Sequence, residues 1–271
     1  MNTTTPSPAA APALPGWRRL QSNGIAMAAS VVAAAPGKPT VVLLHGFPEL
    51  AYSWRHQIDA LAAAGYGVLA PDLRGYGATG AQGAVEDYRM QNLALDVTGL
   101  LDALGIARAV VVGHDFGGAL AWTLARDHAD RVLGVVSLNT PYTRRTETDL
   151  VETMRRTRGP THYMVQYQEP GVGEKLLGEE VDATFRGLMR RPGVTLEQFA
   201  QVPQELQALP AELFKGDEKV MGAPLLSDEE LAVFVRAYER NGFTGPSTGT
   251  ATCAATGRTP PTRPTASRCR R

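Results

Sequence analysis

The chain has 271 residues, of which 27 are Lys or Arg and 27 are Asp or Glu. That balance supplies no basic face for nucleic acid or an anionic membrane surface, and no run approaches the roughly 18 apolar residues of a membrane span. The two cysteines, Cys253 and Cys269, lie outside any metal-ligand or redox spacing, so neither a disulfide framework nor a metal site is expected.

Residues 1–16 are rich in Thr, Pro and Ala, with no basic opening and no dense apolar stretch. They read as a disordered tail rather than a signal peptide, which places the protein in the cytoplasm. Trp17 to Val32 reads as two strands joined at Ser22-Asn23-Gly24, a hairpin signal. Thr40 to Leu44 is short and β-branched, a buried strand. Ser53 to Ala63 spaces Trp54, Ile58, Leu61 and Ala62 along one helical face, and Tyr66 to Ala70 is a strand stopped by Pro71. Tyr88 to Leu104 carries Leu93, Val97, Leu100, Leu101 and Leu104 on one face, and Gly105 ends it. Ala107 to Val112 is a strand, Gly118 to Asp127 a helix and Val132 to Leu138 another strand. Repeated β-then-α units with strands apolar on both faces predict a doubly wound, mostly parallel α/β sheet over residues 17–140. After Thr140-Pro141 the pattern changes: residues 144–242 offer helices broken by Pro and Gly, with no clear strand. The clearest helix opens at the capping box Ser227-Asp228-Glu229-Glu230 and closes at Asn241-Gly242. Residues 141–246 therefore read as a helical lid inserted after one strand, with a separate helical domain as the alternative.

The most informative segment is Gly113-His114-Asp115-Phe116-Gly117-Gly118, directly after the apolar run Ala109 to Val112. A small-x-nucleophile-x-small turn between a buried strand and a helix is a nucleophile elbow. The nucleophile position holds aspartate rather than serine. A serine attacking saturated carbon leaves an ether that water does not readily cleave. A carboxylate leaves an ester, which activated water hydrolyses at its carbonyl. Asp115 therefore points to displacement at saturated carbon, such as epoxide opening or dehalogenation. The competing reading is an aspartate that caps the following helix. His45-Gly46-Phe47-Pro48 follows the first buried strand, and the backbone N–H groups of Phe47 and Phe116 are candidates for an oxyanion hole. His45 could also serve only to tie down its own loop.

On these residues the chain resembles the soluble epoxide hydrolases of the α/β-hydrolase superfamily. The matching segments are His45-Gly46-Phe47-Pro48-Glu49, Ala70-Pro71-Asp72-Leu73-Arg74-Gly75-Tyr76-Gly77, the elbow, Tyr163 to Val172, and Gly242-Phe243-Thr244-Gly245-Pro246. The resemblance spans about residues 17–246. It implies conversion of a small apolar epoxide to a vicinal diol, without metal or organic cofactor. Asp115 would be the nucleophile and Tyr163, ahead of the Gln168-Glu169-Pro170-Gly171 turn, a phenol hydrogen-bonded to the epoxide oxygen. A phenol with pKa about 10 is neutral at pH 7 and suits that role; otherwise Tyr163 is a core aromatic of the lid. His45, Pro48 and His114 are expected to line the substrate pocket. Phe116 departs from the tryptophan common after this nucleophile, which leaves the amide but alters the pocket wall. Dehalogenases share the turn, the Asp72 to Gly77 segment and an aspartate elbow but differ in the lid. A haloalkane or haloacid dehalogenase is thus one alternative, and a non-catalytic binding protein of the same fold is another.

The resemblance also implies a water-activating histidine and an acid after the lid. The five histidines stand at 45, 56, 114, 128 and 162, and no acidic residue follows Pro246. His128 is thirteen residues past Asp115, about 20 Å along a helix. Residues 247–271 contain no Leu, Ile, Val, Met, aromatic, Asp or Glu but five Arg; without them the body has 22 basic and 27 acidic residues, net −5. Such a tail reads as disordered and basic. A sharper reading comes from its codons. Shifted one nucleotide earlier, Ser247 to Cys253 can encode Leu-Asn-Trp-Tyr-Arg-Asn-Met, and Ala254 to Gly257 can encode Arg-Ser-Asn-Trp. The family continues its Gly-Phe-x-Gly-Pro segment in that manner, with the second epoxide-binding tyrosine. A one-nucleotide deletion near the Pro246 codon is the expectation. The last strands of the sheet would then be missing, an apolar sheet edge and face uncovered, and turnover absent or limited to one event.

Overall fold

The computed structural model describes residues 14–81, 83–143, 150–193, 195–201 and 222–246. Strands β1 (Trp17–Ser22) and β2 (Ile25–Val32) form the expected hairpin. Its turn residues Asn23 and Gly24 both have positive φ, 45° and 79°, the primed geometry that matches strand twist. Strands β3 (Thr40–Leu44), β4 (Gly67–Pro71), β5 (Ala109–His114) and β6 (Val132–Leu138) complete a sheet of order β1-β2-β4-β3-β5-β6. The last four are mutually parallel, and the β1-β2 hairpin adds antiparallel pairing on the β4 side. Helices α1 (Arg55–Ala63), α2 (Met90–Ala103) and α3 (Phe116–Asp127) are the crossovers. The mostly parallel α/β sheet expected from the repeated β-then-α units is present.

From β3 the chain crosses to β4 on one side and later to β5 on the other. This is the topological switch point at which open α/β sheets place their sites, beyond the carboxyl ends of the strands. The β3-β5 register pairs Leu44 with Gly113, so the turns after the two strands, His45 to Pro48 and Asp115, emerge side by side.

Two boundaries differ from expectation for local reasons. Helix α3 begins at Phe116, two residues early, because Asp115 itself makes the turn. Part of the segment expected to be a tail is packed: Leu14 is buried with Ile58 and Val68 on the α1 side of the sheet, and the Ser30 hydroxyl donates to the Pro15 carbonyl. The apolar sheet face recruits these residues. The rest of that tail, residues 1–13, and the tail 247–271 lie outside the described residues.

After β6 the described chain is helical, save an isolated bridge between Arg190 and Pro224: α4 (Leu150–Arg158), α5 (Tyr163–Gln166), α6 (Val172–Gly178), α7 (Val181–Leu188), α8 (Leu196–Ala200) and α9 (Asp228–Asn241). Leu177, Phe185, Phe234, Tyr238 and Phe243 of this layer share one buried cluster with Leu44, Leu73, Tyr76 and Phe116 of the sheet layer. Helix α9 has the reciprocal cap anticipated in sequence, with Glu230 N–H donating to Ser227 Oγ and Ser227 N–H to Glu230 Oε2, and it ends at Gly242 with φ 66°. It is tied to the sheet layer by the Arg55–Glu230 ion pair at 2.7 Å and by Arg240 and Asn241, which donate to the Gly77 carbonyl. Among the described residues, no helix is long and apolar enough to cross a membrane.

Candidate active site

Asp115 stands between β5 and α3 with φ 51° and ψ −118°, a backbone state that non-glycine residues hold only when neighbours enforce it. Its N–H donates to the Leu138 carbonyl at 3.2 Å, and its own carbonyl accepts from Gly118 N–H at 2.9 Å and Thr140 Oγ1 at 2.8 Å. The glycines on either side are steric requirements. A Cβ on Gly113 would stand 2.1 Å from the Gly117 carbonyl oxygen, and one on Gly117 would stand 2.2 Å from that of Leu44.

The Asp115 carboxylate makes no cap bond to its helix. Its Oδ1 instead accepts the Phe47 N–H at 3.0 Å, from a turn 68 residues earlier. Oδ2 is the oxygen then left to meet an electrophile. If Oδ2 becomes an ester oxygen, the amide already faces the carbonyl oxygen that gains charge when water adds. Phe116 is the first residue of α3, so its N–H has no intrahelical acceptor and lies in the same turn.

Of the two roles weighed for His45 from sequence, a pocket wall and a tie for its own loop, the geometry favours the second. His45 is fully buried, and the Leu73 N–H donates to its Nε2 at 3.0 Å. The proton must therefore be on Nδ1, which donates to the Gly46 carbonyl at 2.9 Å. Burial holds its pKa below the ordinary value against the opposing field of Asp72. It ties down its own loop. Pro48, joined to Phe47 by a cis bond, is also buried. His114 is a third exposed, with Nδ1 3.0 Å from Glu49 Oε2. The Glu49 hydrogen bond raises the His114 pKa against burial. Burial pushes the Glu49 carboxyl up, but the bonds from His114 and the Gly46 N–H outweigh it and hold it below the usual range. Glu49 and Thr140 thus belong to the site's frame, although sequence reasoning assigned neither. An acid four residues after His45 and a histidine preceding Asp115 were the signals for Glu49.

Tyr163 opens α5 and is partly buried against the main cluster. Its ring meets Tyr167 edge-on at 5.7 Å, and Tyr167 meets Phe47 edge-on at 5.9 Å. The phenol is thereby one ring removed from the residue whose amide holds Asp115. A cleft of about 610 Å³ opens elsewhere, lined by Gly178 to Ala183 and by Tyr238, Glu239 and Gly242, without Asp115 or Tyr163. Among the described residues no group of three or more His, Cys, Asp or Glu could hold a metal ion.

A strand-elbow-helix at the switch point of a parallel sheet defines an α/β-hydrolase, and residues 39–170 match the alpha/beta hydrolase fold family. Epoxide hydrolase A of Mycobacterium tuberculosis is 41% identical over 240 residues, covering 85% of this chain and 72% of that protein. Epoxide hydrolase 2 of Siraitia grosvenorii is 36% identical over 233 residues, 83% of this chain and 69% of that one. The crystal structure of Epoxide Hydrolase A from Mycobacterium thermoresistibile superposes with a TM-score of 0.77 at 34% identity, covering 90% of this chain and 76% of that one. The chain belongs to the epoxide hydrolases of the α/β-hydrolase superfamily, and it is a hydrolase.

Proposed function

We propose that the chain opens small apolar epoxides through an alkyl ester on Asp115, beneath a lid formed by residues 141–246. The observation that carries this reading is the Phe47 N–H to Asp115 Oδ1 bond at 3.0 Å, together with the absence of any cap bond from Asp115. In the first step Asp115 Oδ2 forms a bond to an epoxide carbon, the ring C–O bond breaks, and the departing alkoxide takes a proton from the Tyr163 phenol. The amides of Phe47 and Phe116 would then stabilise the oxyanion formed when water adds to the ester carbonyl. Hydrolysis needs a base for that water, and no histidine follows His162 in the sequence. His45 is neutral, buried and committed to backbone bonds.

The ester on this 271-residue chain is therefore expected to persist. Residues 247–271 are read as out-of-frame translation after the Pro246 codon. Sequencing the coding DNA across that codon and beyond checks this: a frame shifted by one nucleotide is expected to continue as Leu-Asn-Trp-Tyr and later to supply an acid and a histidine, and a shifted frame without them refutes it. The catalytic reading is tested by incubating the purified chain with styrene oxide and quantifying epoxide consumed and diol released. At most one equivalent of epoxide per chain is expected to be consumed, held as the Asp115 ester with no diol released. Sustained diol release contradicts the single-turnover reading, and chloride release from a haloalkane at a higher rate than epoxide consumption would mark a dehalogenase.

A further inference from the structure

Resting on the reading of Tyr163 as the phenol that meets the epoxide oxygen, we propose that His162 is a positioning residue that holds Tyr163 only while its imidazole is neutral. His162 is the N-cap of α5, and its Nδ1 accepts the Met164 N–H at 3.3 Å. A ring nitrogen that accepts carries no proton, so the imidazole is the neutral form with its proton on Nε2. Protonation converts Nδ1 to a donor and removes the cap.

Helix α5 is a single turn of four residues, Tyr163–Gln166. Its other local bonds include Val165 and Gln166 N–H to the His162 carbonyl, at 2.8 and 3.1 Å, Tyr167 N–H to the Tyr163 carbonyl at 2.9 Å, and Gln168 Nε2 to the Met164 carbonyl at 3.0 Å. The turn is thus pinned at the residue that precedes Tyr163. The His162 ring also lies against the Tyr163 ring, with centroids 4.7 Å apart at 32°. Tyr167 meets the phenol ring edge-on from another side. The cap and the two rings thus hold the Tyr163 side chain at the start of the turn.

The surroundings favour the neutral ring. His162 is only 6% exposed, and burial lowers its pKa, with the positive charge of Arg158 adding to the effect. Helix α4 packs on α5, and of its charged residues Glu152, Arg155, Arg156 and Arg158 the one that acts on the ring is Arg158. Glu152 pairs with Arg155 at 3.5 Å. Because the folded-state pKa is depressed, the cap is complete above the ordinary histidine value near 6.5 and is lost as pH falls through the lower folded value.

The experiment follows alkylation of Asp115 by styrene oxide, read by peptide mass, between pH 5 and 8 for the wild type and His162→Asn. An asparagine oxygen caps a helix at any of these pH values. The ratio of the pH 8 to the pH 5 rate is expected to be about fivefold smaller in His162→Asn, the population equivalent of one lost helix cap. Titration of the His114–Glu49 pair is common to both proteins and cancels in the comparison. His162→Phe, which keeps a ring but no cap, is expected to be slower than His162→Asn throughout. Equal ratios in wild type and His162→Asn overturn the proposal. A second measurement needs no variant: ¹⁵N NMR of the wild-type histidines is expected to show His162 as the Nε2–H tautomer at pH 8, and an Nδ1–H tautomer or an imidazolium there overturns it. Absence of any Asp115 adduct in the wild type refutes the site reading itself, which separates that failure from the failure of His162.

Discussion

Glu49 joins parts of the site that are 65 residues apart. One of its carboxylate oxygens accepts both the Gly46 N–H at 2.9 Å and His114 Nδ1 at 3.0 Å, which fastens the turn after β3 to the residue before Asp115. Glu49→Gln keeps an acceptor for Gly46 but removes the charge. It is expected to cost about 1 kcal/mol near pH 6, a charge-assisted bond discounted for partial exposure. His114 has its pKa raised, so its contribution is complete below the ordinary value near 6.5 and is lost as pH rises through the raised value. Glu49 has its pKa lowered, so its contribution is present above its ordinary value and is lost as pH falls through the lowered one. The stability difference between wild type and Glu49→Gln should therefore peak between these limits in thermal unfolding from pH 4 to 9, and a pH-independent difference would rule the pair out as charged. At this scale the placement of Asp115, Phe47 and Phe116 at two neighbouring turns was legible in the sequence, because strand-turn-helix spacing fixes where they emerge. The frame role of Glu49 was not, because it depends on contacts between distant turns, and for His45 the sequence offered a loop-tying role beside a pocket role without deciding between them.

Among the elements, α2 is anchored through a charge network as well as its apolar face. Asp96 of α2 receives Arg74 in a two-pronged bond, Nε to Oδ2 at 2.8 Å and a terminal nitrogen to Oδ1 at 2.7 Å, and Asn23 of the hairpin turn donates to the same carboxylate at 2.8 Å. Arg74 and Asp96 are 4% and 1% exposed. Asp96→Asn removes the carboxylate that pairs with the buried guanidinium, for which about 3 kcal/mol is expected; chemical denaturation measures it, and a loss under about 1 kcal/mol would mean that other groups such as Asp87 compensate. The Asp72 to Gly77 segment thus has a packing role distinct from chemistry. Element identity followed the sequence closely, since two-sided apolar strands and helical spacing are local signals. The start of α3 was misplaced by two residues because the Asp115 backbone state is imposed by Thr140, Leu138 and the two glycines, which a linear pattern does not display.

Across the whole molecule, the sheet layer and the helical layer share one buried cluster, so the site at the switch point lies between two surfaces that fold together. The chain spans about three quarters of the length of the two Mycobacterium epoxide hydrolases A it matches. Among the described residues β6 is an edge strand, and it exposes Leu133, Val136 and Leu138 at 48%, 50% and 43%. Apolar side chains beside an unpaired backbone edge favour self-association, as anticipated from the composition break after Pro246. The mostly parallel sheet and the helical character of the described residues after β6 were legible because they rest on period and turn chemistry. The docking of α9 on the sheet layer through Glu230, Arg240 and Asn241 was not, because it depends on pairing between segments about 165 to 175 residues apart. The central claim is that Asp115 is the group that attacks the epoxide. Its most direct test is peptide mapping of the chain after exposure to styrene oxide: one adduct on Asp115, absent from Asp115→Asn, is predicted, whereas no adduct or one elsewhere in the site would contradict it.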